Sequence, residues 1–131
     1  MLARIVLLFA LLCPSHVLAR EPIKTTLAPV IVSMEIREPD GTIKQYPNIP
    51  WSLGLTVLQA MQTIDGLKFS ADWYYSLSDW FIVSIDGVAA ASGSNWTFCV
   101  NGGEPAGVGV GSYVLGPKAS VIWVYGKPDC K

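Results

Sequence analysis

The chain of 131 residues contains one histidine, His16, and only 15% charged residues. His16 falls in a segment read below as cleaved. Without it no Ser-His-Asp triad, Cys-His pair or imidazole metal ligand can be assembled. Charge is scarce and nearly balanced, nine basic against ten acidic residues. That excludes the basic stripe a nucleic-acid partner requires. Beyond the first twenty residues no apolar run is long enough to span a bilayer. The three cysteines, Cys13, Cys99 and Cys130, form no C-x-x-C pair.

The opening residues have their own logic. Met1 to Ala19 carries one early positive charge, Arg4, an apolar run from Ile5 to Cys13, and Val17 and Ala19 at the spacing signal peptidase accepts. This pattern predicts a secretory signal peptide over residues 1–19, hence a secreted, extracellular protein. A lipid anchor at Cys13 is weaker, since Leu12 is larger than the small residue lipoprotein processing needs, and an uncleaved anchor is a weaker alternative as well. Residues 20–29, short and proline-flanked, read as a flexible leader. Residues 30–131 are long enough for one domain.

Cleavage leaves Cys99 and Cys130, and an even count in a secreted chain favours a disulfide, two free thiols being the alternative. Such a closure stabilises by about 3–4 kcal/mol if unstrained. Asn95-Trp96-Thr97 is an N-glycosylation triplet in a eukaryotic host, with Asn95 the acceptor.

The remaining pattern is mostly β. V-I-V-S-M-E-I-R from Val30 alternates toward its end, Pro39-Asp40-Gly41 marks a turn, and T-I-K-Q-Y returns. Leu55 to Ile64 differs: Val57, Leu58, Met61 and Ile64 recur at helical spacing. Thr56 or Ser52 suits the cap, and Gly66 a left-handed stop. F-I-V-S-I then runs into Asp86-Gly87, W-T-F-C-V into Asn101-Gly102, and S-V-I-W-V-Y closes the chain; both dipeptides are of the hairpin type. One hairpin, one helix and several strands predict an α+β domain, β-grasp-like, with one mixed sheet packed on a single short helix.

Residues 96–113 concentrate glycines at 102, 103, 107, 109 and 111. A dinucleotide fingerprint fails because the third glycine position is Ser112 and no helix follows. A P-loop fails because Pro117 separates Gly116 from Lys118. The stretch therefore reads as a wide, flexible return between two strands. Trp96, Phe98 and Val100 share one strand face, and Trp123 and Tyr125 another; Trp96 and Trp123 read as core. Trp51, Trp73 and Trp80, with Tyr74 and Tyr75, sit in or beside irregular segments and offer a surface for something flat or apolar. Asp65, Asp72, Asp79 and Asp86 recur every seven residues but span a helix end, a loop and two strands, with no common face. No catalytic constellation emerges. The expectation is a non-enzyme with no required cofactor and no metal.

S-D-W-F-I-V-S-I-D-G-V, W-T-F-C-V-N-G, A-G-V-G-V-G-S-Y and I-W-V-Y together resemble the transcobalamin-like C-terminal domain family. That domain is the β-domain of the cobalamin carriers intrinsic factor, transcobalamin and haptocorrin. V-L-Q-A-M-Q followed by G-L-K-F is similar as well, and the likeness spans about residues 30–126. It implies a β-grasp fold and a cobalamin-binding, transport-type function. Two ligand-covering segments carry over. One is Ser78, Asp79, Trp80, Phe81 and Ile82. The other is Trp96, Thr97, Phe98 and Cys99, continuing through Asn101, Gly102, Gly103 and Glu104.

A corrin is broad, nearly flat and rimmed by neutral amides, so it suits an apolar platform, here Trp80 and Phe81, beside open backbone at the Asn101-Gly102-Gly103 turn. With no histidine, bound cobalamin is expected to keep its own lower ligand. Nothing in the sequence corresponds to the carriers' large helical domain, so a second protein is expected to cover the other ligand face. Gly116-Pro117-Lys118-Ala119-Ser120 replaces the family's Gly-Asp, and Thr97 a longer amide side chain. Cobalamin or a similar tetrapyrrole is the expected ligand. The other reading is a secreted module binding a protein or glycan through the same aromatic surface.

Overall fold

A computed structural model describes residues 17–131. Most of the predicted signal peptide lies outside the described residues; residues 20–29 are exposed and carry no regular structure. The elements are β1 (Ile31–Arg37), β2 (Ile43–Pro50), α1 (Val57–Gln62), β3 (Phe69–Tyr74), β4 (Asp79–Ile85), β5 (Val88–Ala89), β6 (Trp96–Val100) and β7 (Ser120–Tyr125). The class is α+β, mostly β. No helix among the described residues is long and apolar enough to cross a membrane.

The strands form two sheets, where the sequence pattern predicts one. The first has order β2-β1-β7-β6 and is mixed, with β1 and β7 parallel and the other pairs antiparallel. The second is the antiparallel sheet β3-β4-β5. The edge of β4 is taken by other chain segments: Val110 N–H donates to the Trp80 carbonyl at 2.9 Å and Ala90 N–H to the Val83 carbonyl at 2.7 Å. No ladder joins β4 to β6.

Alternation builds the core. In β1, Val32, Met34 and Ile36 are buried while their neighbours are not, as period-two side-chain direction requires. They pack with Val121 and Trp123 of β7 and with Val57, Ala60 and Met61 of α1. The helix is six residues, shorter than the ten of the hydrophobic spacing. Thr56 caps it through a reciprocal pair: Gln59 N–H donates to Thr56 Oγ1 at 3.2 Å, and Thr56 N–H to Gln59 Oε1 at 3.0 Å. At the other end Ile64 N–H turns to the Met61 carbonyl, three residues back, and Thr63 Oγ1 donates to Ala60 O at 2.8 Å. Those bonds tighten the last turn and stop the helix before Gly66.

Asp86 and Gly87 both have positive φ, 48° and 82°, the conformation of a type I′ turn, and they join β4 to β5. Asn101 and Gly102 repeat it at 54° and 67°. There the returning chain pairs only briefly with β6, through the Cys99–Pro105 bridge. Cys99 and Cys130 are joined in a disulfide with Cα atoms 6.2 Å apart, beside Val124 and Ile122 on the face of the first sheet away from the main core.

Candidate functional site: an uncharged cleft between the two sheets

Residues 105–118 are not a loose return. They form a strap stitched to the helix and to β4. Val57 N–H donates to the Tyr113 carbonyl, Leu58 N–H to the Val110 carbonyl and Leu115 N–H to the Leu55 carbonyl, at 2.7–3.0 Å. Asp79 Oδ1 accepts from Trp80 N–H at 2.8 Å and from Gly111 N–H at 3.1 Å, and the side chain is buried. A Cβ on Gly109 would collide with the Trp80 carbonyl oxygen and the Asp79 carboxyl group, and one on Gly111 would lie 2.8 Å from Asp79 Oδ1. The glycines permit close backbone approach to a buried carboxylate. They cradle no phosphate.

Beside this strap, between β4 and β6, lies a cleft of ≈ 360 Å³. Phe81 and Val83 of β4 line one wall, Trp96 and Phe98 of β6 the other, with Val108 and Val110 of the strap and Trp123 below. Tyr74, Leu77 and Ala90 complete the rim, and none of the lining residues is charged. Trp96 Nε1–H donates to the Val88 carbonyl at 2.8 Å, which fixes that ring. Trp123 is tilted against Phe98 at 5.0 Å between ring centroids, and its buried Nε1–H has no acceptor among the described residues.

The predicted ligand residues divide. Phe81, Ile82, Trp96, Thr97 and Phe98 come together at the cleft. Trp80 does not line it. Adjacent strand residues face opposite ways, so Trp80 packs with Trp73 on one side of the β3–β4 hairpin, 5.5 Å apart, and Phe81 with Tyr74 on the other at 5.1 Å. The single Trp80–Phe81 platform is therefore two surfaces. Trp73, Tyr75 and Trp80 make an exposed aromatic row at 39%, 87% and 39%.

Asp79 is a buried anchor of the strap, and Cys99, 0% exposed, is spent in the disulfide behind the sheet. Ser78 lies exposed in the β3–β4 turn with φ 51°. Asn101, Gly102, Gly103 and Glu104 lie past the far end of β6 and do not line the cleft; Asn101 instead brackets Ser120, accepting its N–H at 2.9 Å. Asn95 is exposed at the cleft mouth. Trp96 and Trp123 are core residues whose rings also close the cleft. Tyr74, one of the aromatics the sequence offers as a surface, lines the cleft, and Val83, Ala90 and Val108 join it without having stood out in the sequence. The alternation Phe81–Val83 is the signal that marks one of them.

Outside the cleft lining, Lys44 Nζ lies 2.8 Å from Asp86 Oδ2 and 2.9 Å from Glu38 Oε1. The hydrogen bond to Asp86, joined by Glu38, holds the Lys44 ammonium well above the ordinary lysine range. Among the described residues no group of three or more His, Cys, Asp or Glu is placed to hold a metal ion.

Two sheets, one helix and an uncharged cleft define an α+β domain built around a ligand-sized recess. Residues 54–127 match the domain of unknown function DUF4430, and the chain belongs to that family. Haptocorrin, solved in complex with Cbi, is 25% identical with a TM-score of 0.55; the match covers 76% of this chain and 26% of haptocorrin, so the chain spans about a quarter of that protein's length. A candidate metal-binding protein from Ruminococcus gnavus ATCC 29149 has a TM-score of 0.58 at 11% identity, covering 75% of this chain and 97% of that one, a likeness of fold. No curated protein matches the chain.

Proposed function

We propose that this protein is a secreted, non-catalytic domain of β-grasp type that binds a corrinoid, cobalamin or a similar tetrapyrrole, at the cleft between its two sheets. The cleft carries the reading: an aromatic recess without charge, opening beside a strand edge, suits a flat neutral macrocycle with amide arms. The 25% identity to haptocorrin, a structure holding Cbi, supports it. At ≈ 360 Å³ the recess falls near the lower end of ligand pockets, roughly 300–1,000 Å³. It takes an edge or arm of the corrinoid, and the remainder lies across the mouth. A shallow seat of this kind gives modest affinity unless a second protein covers the exposed face. No step of bond-making is assigned to any residue, and no cofactor is required.

Titration with cobinamide tests this, read by tryptophan fluorescence corrected for absorption by the ligand. The expected result is saturable quenching that Phe81→Ala weakens at least fivefold. No quenching at high micromolar cobinamide refutes the reading. A second reading, a protein- or glycan-binding module, is favoured by one observation: Trp73, Tyr75 and Trp80 stand exposed on the opposite side of the β3–β4 hairpin. Glycosylation at Asn95 would place a sugar at the cleft mouth and impede the corrinoid.

A further inference from the structure

Strand β6 ends the four-stranded sheet, so only one of its edges is paired. Its bonding direction follows from three contacts. Gly126 N–H donates to the Asn95 carbonyl and Asn101 N–H to the Ser120 carbonyl, so the odd-numbered residues face β7. Ala106 N–H donates to the Phe98 carbonyl at 2.9 Å from the other side, so the even-numbered residues face away. The strap covers that outer edge at Phe98 O and, with Gly103 N–H on Val100 O, closes it at one end. It leaves Phe98 N–H and both backbone groups of Trp96 without a partner among the described residues. Both residues line the uncharged cleft.

An unpaired strand edge is a template for another extended backbone, and a neighbouring apolar recess selects the side chain that comes with it. We infer that this edge receives a short, uncharged, extended peptide segment of another protein, which adds a strand beside Trp96–Phe98 and places one apolar side chain in the cleft. The backbone requirement is what favours a peptide: alternate donors and acceptors at strand spacing are matched by peptide groups. The closed end at Pro105–Ala106 limits pairing to two or three residues, so binding is weak and reversible. This inference goes beyond the corrinoid reading and does not rest on it, although both occupants use one cleft.

The test titrates acetyl-Thr-Val-Leu-Val-Thr-amide into ¹⁵N-labelled protein. The amide signals of Trp96 and Phe98 are expected to shift saturably and to exchange with solvent at least tenfold more slowly. Because only alternate residues of an added strand bond to β6, methylating the leucine amide or both valine amides discriminates. One methylated form is expected to bind at least tenfold more weakly than the parent, and the other is not. Ala90→Phe, which fills the cleft, is expected to abolish the shifts while the remaining spectrum stays folded. Equal binding by parent and both methylated forms overturns the inference, as do shifts confined to Trp73 and Trp80 or no shifts at millimolar peptide. Cobinamide quenching without any peptide effect also overturns it and leaves the corrinoid reading standing.

Discussion

At the scale of single residues, the position that decides most is Gly109. Its missing side chain lets the strap lie against Trp80 and Asp79, and the backbone bonds from Val110 and Gly111 form only at that distance. Gly109→Ala is expected to destabilise by about 1–3 kcal/mol, the usual cost of overpacking, as read from the urea midpoint. Gly107→Ala has open space and is the control. The glycine spacing was visible in the sequence, and its failure to fit a phosphate loop was too. Its partner was not, because Asp79 is thirty residues away and looks like any acidic residue ahead of a strand. The opposed faces of Trp80 and Phe81, by contrast, were legible from period-two geometry.

Among elements, the informative contact is between the two sheets. Lys44 of β2 reaches Asp86, whose carboxylate also accepts Lys68 N–H at 3.1 Å at the β4–β5 turn. An ammonium whose pKa is raised on folding contributes stability that is fully present below the ordinary lysine value, about 10.4, and lost as pH rises through its folded value. Lys44→Met is therefore expected to lower the melting temperature at neutral pH. The gap from the parent should close as pH climbs beyond about 10.4, with thermal melts across pH 7–12 as the measure. The turn holding Asp86 was readable because Asp-Gly accepts the two positive φ values that short hairpins need. That two sheets form was not, since the pairing rests on contacts between segments far apart in the chain, such as Val110 N–H on the Trp80 carbonyl. The shortened helix has a local origin: spacing marks which residues face the core, while the final turn is set by Thr63 and Ile64 bonding three residues back.

For the molecule as a whole, the disulfide pins residue 130 to the back of β6 and the cleft opens elsewhere. Cys130→Ser is expected to cost about 3–4 kcal/mol of unfolding free energy in urea, through the freedom returned to the unfolded chain. It should leave cobinamide quenching unchanged, which separates scaffold from recess.

The centre of the first sheet joins β1 to β7, parallel partners registered from Ser33–Ser120 to Arg37–Val124. During synthesis β1 must wait, its inner edge bare, until the β7 residues it pairs with, such as Ser120 for Ser33, have left the ribosome. Such distant closure makes for slow folding. A stop codon before residue 120 would then yield a chain unable to assemble its middle, not a slightly trimmed domain.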